Sequence, residues 1–389
     1  MDVIIRTQVN KVSGWIAALS VCLGIPSWAE SPRPHPVNYP ESPLMLDLPS
    51  VGTDPTKIDF AKLPRLNGQH AVISRGDDAW KFRLHNYLAH FDGKFWCIWS
   101  HGPVIEDKAT QHVRFATSRD GLHWNDAQQL TPPPPKGCGY IARGLWIRNG
   151  QLLALASLFE APSAFGGRLE LHAFAWDKET TKWRHAGLVM DDAINNFPPK
   201  KLPTGDWMMS RRDHRHNVSM LIGGVKSLSK WRVIPVASHQ LPDGGRPEEP
   251  FWWALRDGNL VGLFRDNADS NRLYRAFSTD SGQSWTTPVR TNFPDARSKF
   301  NALRTSRGYW VLVSNPNPAG RNPLCLSTSD DGLVFTRMAA LRIPSKRGDT
   351  LQYPHVIEHE RRLYIAFSRN KTAIEVLTIE LDEVNHLRK

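Results

Sequence analysis

Ser278-Thr279-Asp280-Ser281-Gly282-Gln283-Ser284-Trp285 has the form Ser-x-Asp-x-Gly-x-x-Trp. Each residue type suits a tight connection between strands. Ser and Asp side chains bond the turn's own backbone, Gly takes the left-handed position, and the aromatic pins the turn to the sheet. Ser118-Arg119-Asp120-Gly121-Leu122-His123-Trp124 is the same motif with one residue fewer in the turn. Ser329-Asp330-Asp331-Gly332-Leu333-Val334-Phe335 repeats the short form with Phe for Trp. Each copy follows a strand-like run (113–117, 273–277, 324–328) and precedes another extended segment. One copy is weak evidence. Three copies indicate an array of similar β units around an axis.

Outward from these copies, strand-like runs recur without a long helical period, as at 94–100, 151–159, 168–176, 259–265, 309–315 and 362–368. Asp92-Gly93, Asn149-Gly150, Asp257-Gly258 and Arg307-Gly308 punctuate them as hairpin turns. The chain of 389 residues carries 15 Trp and 29 Pro, which fits many short strands with many turns and is often a mark of sugar stacking. At 40% hydrophobic and 22% charged it has ordinary globular composition. The formal net charge of +11 suits an anionic partner: nucleic acid, anionic polysaccharide or a carboxylate. No nucleic-acid motif, P-loop or dinucleotide fingerprint accompanies that charge.

Residues 1–29 read as a secretory signal, with Arg6 and Lys11, an apolar run over 15–25, and Ser27-Trp28-Ala29 as the cleavage pattern. The expectation is a secreted or periplasmic protein beginning at Glu30. Cys22 raises a lipoprotein alternative, which the bulky Val21 disfavours. No apolar run is long enough to span a membrane. Residues 30–50, rich in Pro and Ser, read as an extended lead-in, followed over 51–389 by one β architecture. Cys97, Cys138 and Cys325 remain after cleavage; an odd number with no Cys-x-x-Cys spacing fits one bridge or three buried thiols, and not a zinc site.

The three repeats resemble the Asp-boxes of the sialidase superfamily. The resemblance covers about 80–381 and implies an all-β six-bladed propeller of four-stranded antiparallel blades. The units fall near 82–130, 139–190, 203–240, 249–291, 300–343 and 353–381, with residues 51–80 as closing strands and cover. A β-sandwich or two smaller β domains is the alternative.

The same resemblance implies a catalytic set. Arg83, in Phe82-Arg83-Leu84-His85, looks like the arginine of the family's Phe/Tyr-Arg-Ile-Pro motif, with His85 in place of the proline. Arg265 ends the strand after Glu249-Pro250 and the Asp257-Gly258 turn, as in the family's fourth blade. Arg321 precedes the strand that leads to the third Asp-box. Such a triad clamps a substrate carboxylate, because guanidinium forks match carboxylate geometry and keep their charge. Tyr353, in Gln352-Tyr353-Pro354-His355, matches the family's nucleophile, and Glu249 the glutamate that takes its proton. Asp107 is the expected acid/base, with Glu106 as fallback. A phenol suits attack on a carbon bearing a carboxylate, because an anionic nucleophile would be repelled.

The implied activity is that of a retaining exo-α-sialidase acting on an acidic glycan, with no cofactor or catalytic metal. A uronate-specific hydrolase or lyase using His85, His101 or His355, and a non-catalytic carbohydrate-binding propeller, remain open. Trp252 and Trp253 suit either a pocket wall or blade packing. The cluster Arg211-Arg212-Asp213-His214-Arg215-His216 suits a solvated loop first, then a glycan rim or a metal site.

Overall fold

The computed structural model describes residues 43–388, so the expected signal segment and residues 30–42 of the lead-in lie outside the described residues. The chain forms six antiparallel sheets arranged as blades in sequence order. Blade 1 comprises Phe82–Phe91, Lys94–Gly102, His112–Ser118 and Gln128–Gln129. Blade 2 comprises Cys138–Arg148, Gln151–Glu160, Leu169–Asp177 and Lys182–Asp191. Blade 3 comprises Lys200–Lys201, Trp207–Arg212, Val218–Gly223 and Trp231–Ala237. Blade 4 comprises Pro247–Ala254, Leu260–Asp266, Arg272–Ser278 and Val289–Pro294. Blade 5 comprises Asn301–Arg304, Trp310–Ser314, Cys325–Ser329 and Arg337–Leu341. Blade 6 comprises Leu351–His359, Arg362–Arg369 and Ala373–Glu380. Its fourth strand comes from the other end of the chain: Gln69–Arg75 pairs antiparallel with Ala373–Glu380. That pairing closes the ring, and the short Arg65–Leu66 adds in parallel to the outer edge of blade 5.

Within a blade, burial tells inside from outside. The first strands of blades 1, 2, 4 and 6 are buried over long unbroken runs, while the last strands of blades 1, 2 and 3 alternate or lie exposed. Continuous burial marks strands covered on both faces, and alternation marks an edge. The first strand of each blade therefore faces the axis.

The apolar core is divided among the seams between adjacent blades. One cluster lies between each neighbouring pair, the blade 6–blade 1 seam included. Burying a large apolar side chain contributes about 1.5–3 kcal/mol, so these seams carry most of the stabilisation. The tryptophans serve here: Trp99, Trp146 and Trp310 are fully buried, and Trp96, Trp176 and Trp183 pack edge to face. In the described part of the lead-in, Met45, Leu46 and Leu48 are buried in the blade 4–blade 5 cluster. Asn292 holds them by accepting the Met45 and Leu46 N–H groups at 2.8 and 2.9 Å.

The Asp-boxes close the third-to-fourth-strand turns of blades 1, 4 and 5. In blade 1, Ser118 Oγ accepts the Gly121 N–H at 2.8 Å, and Asp120 Oδ1 accepts those of Leu122 and His123. Blade 4 uses Ser278 and Asp280, and blade 5 Ser329 and Asp331, in the same way. In blades 1 and 4 the box's own Trp124 or Trp285 donates its ring N–H to the carbonyl of Gly121 or Gly282. Phe335 has no such donor. Trp253, from the inner strand of blade 4, supplies the bond instead, to the Gly332 carbonyl at 3.1 Å. Trp253→Phe should therefore cost about 1–2 kcal/mol, since it leaves a buried carbonyl unsatisfied. Denaturant unfolding checks this; an unchanged midpoint would show that the bond contributes nothing.

Candidate functional site

The site grows from a repeated irregularity. In blades 1, 2, 4 and 6 the innermost strand breaks register with its neighbour. The breaks lie between Leu84 and Tyr87, Ala142 and Gly144, Glu248 and Phe251, and Gln352 and His355. A bulge bends its strand and re-aims a side chain. The residues at these bulges are His85, Arg143, Glu249 and Tyr353, and all four line one cavity of about 330 Å³. His85, Glu249 and Tyr353 have φ of 55°, 51° and 59°. Left-handed backbone costs a non-glycine residue on the order of 1–3 kcal/mol and collects at functional sites. Pro250 and Pro354 follow two of the bulges and, lacking an N–H, cannot complete the ladder there. Asn86 ties blade 1 to blade 6 by donating to the Tyr353 carbonyl at 3.1 Å.

Connections and strand ends on the same face complete the lining. Glu106 and Asp107 come from the loop between the second and third strands of blade 1, and Arg212 and Arg265 from the ends of the second strands of blades 3 and 4. Arg321 follows the second strand of blade 5, and Lys371 sits in the last turn of blade 6.

Most of the charges are matched in pairs. Arg265 Nη1 donates to Glu249 Oε2 at 2.8 Å and to the Tyr353 hydroxyl at 3.3 Å. Arg212 Nη1 donates to Glu248 Oε2 at 2.6 Å. Lys371 Nζ donates to Glu106 Oε2 at 2.8 Å. Burial alone would raise the Glu249 carboxyl, but Arg265, Arg212, Lys299 and Arg321 hold it below the usual range, so it is ionised. Burial raises the Tyr353 phenol, with Glu249 adding to the effect, so it is a neutral phenol at rest.

Asp107 differs from its neighbour. Burial, then the like charge of Glu106, pushes its carboxyl up to about 6. One carboxylate oxygen has no partner, and the other accepts the Ala164 N–H at 3.3 Å. Burial opposes ionisation of Glu106 too, but the hydrogen bond from His85 and the charge of Lys371 outweigh it. His85 is itself neutral, lowered to about 4 mainly by burial. The Ser100 hydroxyl donates to its Nδ1 at 3.1 Å, which leaves Nε2–H to donate to Glu106 at 3.1 Å. Adjacent carboxyls with separated affinities are the arrangement an acid needs beside a fixed charge. If Asp107 is the acid, activity should fall as pH rises through about 6. Glu106→Gln removes the like charge and unmasks Lys371, so the alkaline limb should move down by about half to one pH unit. An unmoved limb would take Asp107 out of that role.

Of the residues expected from sequence, Tyr353, Glu249, Asp107, Glu106, Arg265 and Arg321 line this one cavity. Arg83 does not. Its Nε donates to Ser74 Oγ at 3.0 Å and its Nη1 to the Trp80 carbonyl, in the seam beside the closing strand. In a regular strand Arg83 and His85 would share a face; the bulge separates them and turns His85 into the cavity. His101 stacks on Trp80, and His355 accepts the Leu88 N–H; neither lines the cavity. Trp252 and Trp253 are core residues bonded to the Met208 and Gly332 carbonyls. His214 pairs with Asp192 while His216 stacks on Phe165, so they share no ligand position. Among the described residues no group of three or more His, Cys, Asp or Glu could hold a metal, and Cys97, Cys138 and Cys325 are buried free thiols.

Sequence reasoning did not place Arg143, Glu248 or Lys371, and set Arg212 in a solvated loop. Arg143 carried a readable signal: a charge inside the apolar run 140–146, followed by Gly144, which adopts φ of 134°.

Several solved structures share the fold. A protein of unknown function from Dyadobacter fermentans is 15% identical, with a TM-score of 0.66 over 82% of this chain and 100% of that one. The Hadza microbial sialidase Hz136 is 13% identical, with a TM-score of 0.66 over 80% and 68%. The Penicillium chrysogenum α-L-arabinanase complexed with arabinobiose is 14% identical, with a TM-score of 0.60 over 82% and 99%. At these identities the likeness is one of fold. A comparison with curated proteins found no match. The family model for the BNR repeat-like domain matches residues 85–365, from the first inner strand to the last blade. The chain with these three Asp-boxes and six blades belongs to the BNR repeat-like family.

Proposed function

We propose that the protein is a retaining glycoside hydrolase of the exo-α-sialidase type, exported from the cell, that removes a terminal sugar bearing a carboxylate at its anomeric carbon. The observation that carries the reading is the contact of Arg265 with both Glu249 and the Tyr353 hydroxyl, in a cavity that also holds Arg321 and Asp107. Arg265 and Arg321 bind the substrate carboxylate beside Tyr353. The Tyr353 oxygen forms a bond to the anomeric carbon as the glycosidic bond breaks; Asp107 gives its proton to the leaving oxygen, and Glu249 takes the phenolic proton. Asp107, now ionised, then takes a proton from water. The water oxygen bonds to the anomeric carbon, the bond to Tyr353 breaks, and Glu249 returns the proton to the phenolate. The anomeric configuration is retained.

A second reading, a lyase or hydrolase acting on uronate polysaccharide, rests on a departure. Arg83 lies outside the cavity, and neutral His85 stands in it, with its ring 5.5 Å from that of Tyr353. One experiment separates the two. Purified residues 30–389 are given an aryl α-sialoside and, separately, uronate polysaccharides. Fluorophore release with retention supports the sialidase reading. An ultraviolet-absorbing unsaturated product with no release supports the lyase. Activity on neither, from folded protein, overturns both and leaves a binding propeller.

A further inference from the structure

The charges lining the cavity leave a remainder. Three of its cations, Arg212, Arg265 and Lys371, each have a carboxylate within 2.8 Å, namely Glu248, Glu249 and Glu106. Two others have none among the described residues. Arg321 bonds the Gln352 side-chain oxygen and the Arg297 carbonyl, both neutral acceptors. Among the described residues Arg143 bonds Ser157 Oγ, through its Nε at 3.1 Å, and neither terminal nitrogen has a hydrogen-bond acceptor. Arg143 is 3% exposed and lines the cavity. Burial, with the nearby charge of Arg212 adding to it, works against its proton and outweighs the opposing influence of Tyr87, Asp107 and Glu106. The cavity thus holds two buried or half-buried guanidiniums with no carboxylate in direct contact among the described residues, Asp107 and Glu106 acting on Arg143 only at longer range.

Their placement matters as much as their number. Arg143 is on the inner strand of blade 2, near Asp107, and Arg321 follows the second strand of blade 5, with its guanidinium 5.8 Å from the Tyr353 ring centre. With six blades in sequence order, blades 2 and 5 face each other across the axis. The two oxygens of a carboxylate lie on one side of a single carbon, so one carboxylate on Arg321 and Arg265 leaves Arg143 unmatched on the opposite wall. Apolar lining, which an uncharged acyl substituent would need there, is limited to Ala164, Phe165 and Ile194, and Phe165 is itself covered by Arg212 and His216.

We propose that the sugar this site accepts carries a second oxyanion, a sulfate ester or a further carboxylate, held by Arg143 on the wall opposite the first carboxylate. This rests on the acidic-sugar reading above and deepens it. The role is one of specificity: Arg143 selects a doubly charged sugar and takes no part in bond making.

Isothermal titration with wild-type protein tests it without any variant. The probes are N-acetylneuraminic acid against its O-sulfate esters, and glucuronic acid against its 2- and 3-O-sulfates; a diuronate disaccharide supplies the carboxylate alternative. At least one dianion should bind about ten-fold or more tightly than its monoanion, the size of one charge-assisted bond. Arg143→Gln should abolish that preference and leave monoanion affinity unchanged, Arg143→Lys should keep part of it, and Arg83→Gln should keep all of it. Equal binding of monoanions and dianions by wild type overturns the proposal while the acidic-sugar reading stands. Equal weakening of both by Arg143→Gln also overturns it, because Arg143 would then serve the first carboxylate. Binding of no acidic sugar overturns both readings together.

Discussion

Tyr353→Phe is expected to lower turnover of an aryl α-sialoside by about three orders of magnitude or more while leaving the fold intact. The substitution removes one oxygen. Among the described residues that oxygen has a single hydrogen bond, from the Arg265 N–H at 3.3 Å, so little stability goes with it. The ring keeps its place beside His85, between the bulges of blades 1 and 6. What is lost is the neutral phenol oxygen held by Arg265 beside Glu249, the proposed nucleophile. A control sharpens the result. Asp107→Ala should cost less on an aryl substrate than on a natural glycoside, because a phenolate leaves without a proton. Tyr353→Phe should cost the same on both, since the nucleophile is needed whatever leaves. A Phe variant that keeps more than a tenth of wild-type activity would remove Tyr353 from the nucleophile's role and turn attention to His85 and the uronate chemistry.

The propeller was legible in the sequence because its turns are chemically demanding. Ser, Asp and Gly at fixed offsets meet backbone requirements that few other residues satisfy, and three copies fix the period. The expected unit at 249–291 encloses most of the strands seen over 247–294, and that at 300–343 those over 301–341. Blade 3 has no box. The expected 203–240 begins after its inner strand, because Lys200–Lys201 is two residues long and carries no strand pattern.

The site was legible where a motif spans the bulge. Glu249-Pro250 and Tyr353-Pro354 each pair a cavity residue with a proline that interrupts the ladder, so the sequence marks both the residue and its change of direction. Phe82-Arg83-Leu84-His85 lacks the proline, and the bulge falls after Leu84 all the same. A strand pattern alternates side chains without saying where the alternation breaks, so Arg83 and His85 were indistinguishable as cavity residues. Arg212 was hidden for another reason. Its neighbours Arg211, Asp213 and His214 meet Asp192 and Asn217 around the turn, and the cluster reads as solvated; Arg212 turns inward to Glu248, which His216 also faces at 3.5 Å, and of the cluster Arg212 is the buried member, 5% exposed. Composition records the charge and not the one residue that is buried.

Arg265→Met is expected to be the most destabilising change at the site, costing about 3–5 kcal/mol at neutral pH. The cause is the partner left behind. Glu249 is 4% exposed and relies first on Arg265 for its counter-charge, and Glu248 also faces Arg265 Nη2 at 3.5 Å. The pH dependence should reverse in sign. In wild type the Glu249 carboxyl lies below its unfolded value; its contribution is present above that value and is lost as pH falls. In the variant, burial is left without its main opponent and the carboxyl rises above the unfolded value. Its contribution is then present at low pH and lost as pH rises. The gap between variant and wild type should therefore narrow steadily as the medium is acidified, read as denaturant midpoints at unchanged slope. Adding Glu249→Gln to Arg265→Met should recover much of the loss without restoring activity, a coupling that only contacting residues produce. A single variant less than about 1 kcal/mol below wild type, or a gap independent of pH, would mean that Glu249 is held by other charges, and the Arg265 contact would no longer explain how Glu249 stays ionised beside Tyr353.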